Sequence, residues 1–202
     1  MKPLVLVTGF GPFEKHAENP SGEIALGLAK TPPPGVDVVG VVLPVSFRRV
    51  AASMEEALAG LNGRRPDLIL SLGVHSRPGW RVEGCARVHL TRRGRPDNDG
   101  VDAVDAMDVS GKAECEQAPL MTGLDAGALT LLLQELSPEP AGLSWNAGGY
   151  VCEWAYAQGL QHAQKLQSNA LFVHVPQSHF TSIPVQIERM GGLLVEALKQ
   201  LL

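Results

Sequence analysis

Cysteine is scarce: Cys85, Cys115 and Cys152 are the only three among 202 residues. An odd, sparse count does not build a disulfide framework, and it suits a reducing compartment in which at least one thiol stays free. Basic excess is missing as well. The 17 Lys and Arg face 21 Asp and Glu, for a formal net charge of −4. That balance argues against nucleic acid as the main partner, because phosphate binding needs clustered cations. No run approaches the ~20 apolar residues of a membrane-spanning helix, so no membrane partner is expected. The opening stretch, Met1 to Thr8, holds only a short apolar run before Gly9. A secretory leader needs a longer one, so the cytoplasm is the expected location. There is no internal repeat and no low-complexity tract.

What is present fits one globular domain spanning 1–202, with 45% hydrophobic and 19% charged residues. The 22 Gly and 15 Pro imply many shaped loops. Leu4 to Thr8, Val36 to Leu43, Asp67 to Gly73 and Ala170 to Val175 are short, nearly continuous apolar runs. Each reads as a strand, and Leu4 to Thr8 as one buried on both faces, as in a largely parallel sheet. Helical patterns lie between and after them. Ser21 is placed to cap a helix carrying Glu23, Ile24 and Leu28. Phe47, Val50, Met54, Leu58 and Leu61 form a stripe, as do Ile183, Ile187, Met190, Leu194, Ala197 and Leu201. Ala126 to Leu136 and Val151 to Gln167 are further helices. The alternation predicts an α/β class: a single-domain three-layer α/β/α fold with a mixed, largely parallel central sheet. Arg81-Val82-Glu83 and Ala86 to Thr91 read as a hairpin, and Arg92 to Lys112 as a long polar loop.

Three patterns bear on chemistry. Thr8-Gly9-Phe10-Gly11-Pro12-Phe13 follows the first strand but lacks the third glycine of a dinucleotide site. Phe10 and Phe13 there either wall an apolar pocket or close the core beneath the loop. The six histidines, among them His16, His75, His162 and His179, show no HExxH or paired-Cys spacing, so no metal is expected. The third pattern is Asn146-Ala147-Gly148-Gly149-Tyr150-Val151-Cys152, a glycine turn that puts Cys152 in a helix's first turn. Unpaired N–H groups and the helix dipole stabilise thiolate there and predict a lowered pKa. Such a nucleophile needs a base. His174 interrupts the apolar strand Phe172 to Val175 and is costly to bury alone. An orienting carboxylate must then be near, and Glu83 is one among 21 acidic residues.

These residues together resemble the pyroglutamyl peptidase I family, the pyrrolidone carboxyl peptidases. The resemblance rests on Val7-Thr8-Gly9-Phe10-Gly11-Pro12-Phe13 with Asn19-Pro20-Ser21, on Ser144 to Cys152, and on Phe172-Val173-His174-Val175-Pro176. Pro96-Asp97-Asn98-Asp99-Gly100 adds a weaker block. The resemblance implies a cysteine exopeptidase acting on peptides with N-terminal pyroglutamate, without metal or organic cofactor. It implies Cys152 as nucleophile, His174 as general base and Glu83 as the acidic member. Phe10 and Phe13 would flank the pyrrolidone ring, and Arg92, Arg93 or Arg95 would lie near the oxyanion. Many members are homotetramers and some are monomers, so a homo-oligomer is possible. Two features depart from the family pattern. Val74-His75 stands where many bacterial members have a lactam-contacting Gln, and Gln177-Ser178-His179-Phe180 follows Pro176. They motivate an alternative: a catalytically altered homologue that binds a small lactam or hydrolyses another cyclic amide.

Overall fold

The computed structural model describes residues 2–13, 18–90, 93–108 and 118–201. Cys115, His16, Thr91, Arg92 and the end of the expected loop near Lys112 lie outside that set. The four apolar runs form β1 (Leu4–Phe10), β2 (Asp37–Leu43), β3 (Leu68–Val74) and β8 (Asn169–Val175). They lie side by side and parallel, in the order β2-β1-β3-β8. β1, β3 and β8 are central and almost wholly buried, which explains their continuous hydrophobicity.

Two shorter strands complete the sheet beyond β8. β4 (Trp80–Glu83) runs antiparallel to β8, and β7 (Ala141–Ser144) runs parallel to β4. The expected hairpin is therefore not formed. The chain leaves β4 at Gly84, and β5 (Cys85–Ala86) pairs instead with β6 (Leu120–Met121) in a separate two-stranded sheet. Pairing β4 with β8 buries Trp80, Val82 and Glu83, which a local hairpin would leave half-wet. The expected long loop also contains a short helix, α3 (Ala103–Asp108).

Helices cover both faces, as an α/β/α sandwich requires. On one face, α1 (Pro20–Lys30), α4 (Ala126–Leu136) and α6 (Ile183–Lys199) pack on Val5, Leu70, Leu171 and Val173. On the other, α2 (Val50–Ala59) and α5 (Val151–Leu166) pack on Leu6, Ile69 and Phe172. The cap of α1 differs from expectation. Asn19 is the N-cap, and its side chain accepts from the Ser21 N–H at 3.2 Å. Ser21 lies inside the first turn, and its hydroxyl accepts from the Phe10 N–H at 3.0 Å. The stripe from Phe47 to Leu61 is helical only over α2, with its two end residues buried on either side. α5 begins after Gly148 and Gly149, whose φ of 104° and 67° favour glycine, and it ends at left-handed Gln167. In α6, Met190, Leu193, Leu194, Ala197 and Leu198 are the buried stripe. No helix among the described residues is long and apolar enough to cross a membrane.

Candidate active site

The C-terminal ends of β1, β3 and β8 point to one edge of the sheet, where ligands bind in open α/β folds. The sheet also changes direction here, between β8 and β4. A cavity of about 200 Å³ opens at this edge. Phe10 and Phe13 reach it from the β1 loop, Val74 and His75 from the end of β3, His174 and Gln177 from the end of β8, and Tyr150 and Cys152 from the start of α5.

Register explains how the polar groups meet. His174 lies opposite Gly73 in the parallel β3·β8 pair and opposite Arg81 in the antiparallel β4·β8 pair. Residues directly opposite point to the same face. Glu83, two residues on from Arg81, shares that face, and its Oε1 accepts from His174 Nδ1 at 2.7 Å. Glu83 is completely buried. Burial pushes its pKa up, but the His174 bond and charge, with the Arg81 pair, outweigh this and hold it low. The Nδ1 bond leaves His174 Nε2 as the ring's second nitrogen.

Cys152 comes from α5, which crosses the same face. A Cβ on Gly73 would stand 3.1 Å from Cys152 Sγ and 2.7 Å from Phe172 Cζ. Glycine at this point of β3 therefore leaves room for the sulfur beside the strand pair that carries His174. The expected low thiol pKa is not found. Burial pushes the Cys152 thiol up to about 12, against the pull of Arg95 and of the residue's own backbone N–H. Desolvation of an anion costs several kcal/mol, whereas a helix terminus contributes about 1 kcal/mol.

The walls are held by backbone-directed side chains. Asn19 Nδ2 donates to the Gly11 carbonyl at 2.9 Å, which ties the Phe10–Phe13 loop to α1. Gly9 lets the two approach, since a Cβ there would fall 2.0 Å from the Ser21 carbonyl oxygen. Phe10 is both a core residue and a cavity wall, so the two sequence readings hold together. The Pro96–Gly100 block is a loop organised by Asp97, which accepts from the N–H groups of Phe47, Asp99 and Val101. It sets Arg95 over the Tyr150 ring, 4.5 Å from the centroid, and into the cavity. Of the three arginines considered, Arg93 is exposed and outside the cavity lining.

His75 is locked as a neutral ring. Its Nδ1 accepts from the Arg77 N–H at 3.4 Å and its Nε2 donates to the Gly79 carbonyl at 2.9 Å. Burial lowers its pKa despite the Gly79 bond, with the His174 and Arg81 charges adding to the effect. Arg81 and Gly73 were not singled out from the sequence. Their signals were slight: a cation two residues before Glu83, and a glycine inside an apolar strand.

The family model described as pyroglutamyl peptidase matches residues 3–191. The chain belongs to the pyroglutamyl peptidase family. It is 33% identical over 178 residues to the pyrrolidone-carboxylate peptidase of Thermococcus litoralis, covering 85% of this chain and 76% of that one. It is also 33% identical over 176 residues to the Streptomyces coelicolor protein of the same name, with 85% and 77% covered. The solved Thermococcus litoralis pyrrolidone carboxyl peptidase superposes with a TM-score of 0.84 at 25% identity, covering 98% of this chain and 94% of that one. The Fervidobacterium islandicum pyrrolidone carboxyl peptidase gives 0.78 at 28%, covering 98% and 99%. Family membership makes this chain a cysteine hydrolase of the pyroglutamyl peptidase I type.

Proposed function

We propose that this chain removes an N-terminal pyroglutamyl residue from peptides through a thioacyl-enzyme, with Cys152, His174 and Glu83 as its catalytic residues. The observation that carries the reading is the single cavity shared by Cys152, His174, Phe10 and Phe13, with Glu83 bonded to His174 behind it. A pyroglutamyl terminus has no free amino group, so recognition of an α-ammonium is useless. A neutral lactam suits an apolar slot with few polar contacts, and Phe10 and Phe13 supply its walls.

The resting thiol is neutral, so attack and proton transfer are coupled. His174 Nε2 accepts the thiol proton as Sγ bonds to the pyroglutamyl carbonyl carbon. Glu83 holds the ring in the tautomer with Nδ1–H and stabilises the imidazolium. The Cys152 N–H, in the first turn of α5, and the Arg95 guanidinium face the developing oxyanion. His174 then gives the proton to the leaving nitrogen and the C–N bond breaks. Water, deprotonated by His174, cleaves the thioester, which releases pyroglutamate and restores the thiol.

The test is release of coumarin from a pyroglutamyl-coumarin amide under reducing conditions. Cys152→Ala is expected to abolish release with the fold intact. Glu83→Gln is expected to lower kcat by roughly 10²-fold or more with little change in KM. No release by folded wild-type protein overturns the reading. Silence on this amide with turnover of another cyclic amide points to the altered hydrolase.

A further inference from the structure

Arg81 reaches the cavity from β4 with its hydrogen bonds only partly used. Nε and Nη2 donate to Glu83 Oε1 at 3.0 and 2.8 Å, and Nη2 also donates to the Asn146 carbonyl at 2.9 Å. A guanidinium carries five N–H groups, so both on Nη1 remain. They have no partner among the described residues, and the side chain is 36% exposed. The neighbouring lining residues His75, Ser76 and Gln177 carry no fixed charge, and no Asp or Glu lines the cavity among the described residues. The buried Glu83 behind Arg81 is shared with His174.

The position of Arg81 gives this edge a direction. Arg81 stands directly across from His174, and Glu83 across from Phe172, so Arg81 lies further toward the C-terminal end of β8. It is therefore on the open side of the His174–Glu83 pair. In the reaction proposed above, His174 protonates the leaving nitrogen, so the leaving peptide departs along the His174 side. On that side Arg81 lines the cavity directly across the strand pair from His174. Guanidinium is the side chain best matched to a carboxylate there.

We infer that Arg81 is a specificity residue, pairing through Nη1 with a carboxylate on the residue that follows pyroglutamate. The inference rests on the pyroglutamyl peptidase reading. The preferred substrates are then pyroglutamyl dipeptides with a free C-terminal carboxylate, or peptides with Asp or Glu after the pyroglutamyl residue. Partial exposure keeps the preference modest.

The experiment compares kcat/KM for pyroglutamyl-alanine, pyroglutamyl-alanine amide and pyroglutamyl-glutamate amide. Wild-type protein is expected to favour at least one carboxylate substrate over the neutral amide by about three- to tenfold, less at high salt. A preference for the free acid alone assigns the α-carboxylate, and one for the glutamate amide alone assigns the side chain. Arg81→Gln is expected to bring the ratio near one, and Arg81→Lys to keep part of it. Arg81 also holds Glu83, so its loss lowers all three rates together. Only the ratio reports contact with substrate. A wild-type ratio of one, or an unchanged ratio in Arg81→Gln, overturns the inference. If that variant fails to fold, the ratio in Arg81→Lys decides, because Arg95 lines the same cavity and the wild-type ratio alone does not separate the two arginines. Failure to cleave any of the three, or the coumarin amide, overturns the activity reading itself.

Discussion

Cys152 sits where two electrostatic effects oppose each other. The first turn of α5 stabilises an anion, and desolvation of the half-buried Cys152 side chain beside the sheet opposes it. Burial wins, so the thiol pKa lies near 12. Thiolate then grows about tenfold per pH unit across the neutral range, because ambient pH stays below the pKa throughout. Alkylation of Cys152 by iodoacetamide, followed by peptide mass spectrometry, is expected to accelerate continuously from about pH 7 to about pH 9. A plateau below pH 8 would show a preformed thiolate and contradict this reading. In the mechanism proposed above, His174 makes such a thiol useful by taking its proton only as a bond to carbon forms.

At the scale of elements, the entrance to α5 is held by an ion pair between the buried Glu153 and the exposed Arg87. Glu153 follows Cys152 in the sequence and is completely buried. Its carboxylate accepts two bonds from the Arg87 guanidinium, at 2.8 and 2.7 Å, and one from the Gly149 N–H at 2.6 Å. Arg87 also donates to Asn146 Oδ1 at 2.8 Å, which in turn accepts from the Gly148 N–H. The turn before Cys152 is thus fastened to the segment that follows β5. Arg87→Ala leaves a buried carboxylate with backbone donors only. It is expected to cost about 2 kcal/mol, seen as a lower urea midpoint at unchanged slope. An unchanged midpoint would mean that the turn holds itself.

At the scale of the molecule, the two faces of the sheet do different work. α2 and α5 pack on the face that carries Cys152 and His174, while α1, α4 and α6 fill the opposite core. Leu194 of α6 is fully buried in that opposite core. Leu194→Ala is expected to cost about 2–5 kcal/mol and lower the melting temperature. Its kcat on a pyroglutamyl amide, measured well below melting, should match wild type. A large fall in kcat at full folding would show that the far face sets the geometry of the site.

Much was legible in one dimension because its cause is local. Apolar runs mark strands: β1, β3 and β8, buried on both faces, and the half-exposed edge strand β2 fall where those runs lie. Apolar stripes and glycine turns mark α4, α5 and α6 for similarly local reasons. Cys152 and His174 stood out in the sequence as residue types out of place in their surroundings, and both line the same cavity. The rest depended on partners far along the chain. β4 and β7 are four residues each and gain their stability from the sheet they join: the strand at Arg81-Val82-Glu83 was legible but its partner was not, and β7 carried no local signal. Spacing leaves Glu83 as one carboxylate among 21 and only the family resemblance singles it out; antiparallel pairing with β8 sets it 2.7 Å from His174. Arg81 met the cavity through the same pairing. The thiol pKa was misjudged from sequence, since a helix terminus is visible in sequence and burial is not. Desolvation is a property of the packed whole, and only the tertiary structure decided it.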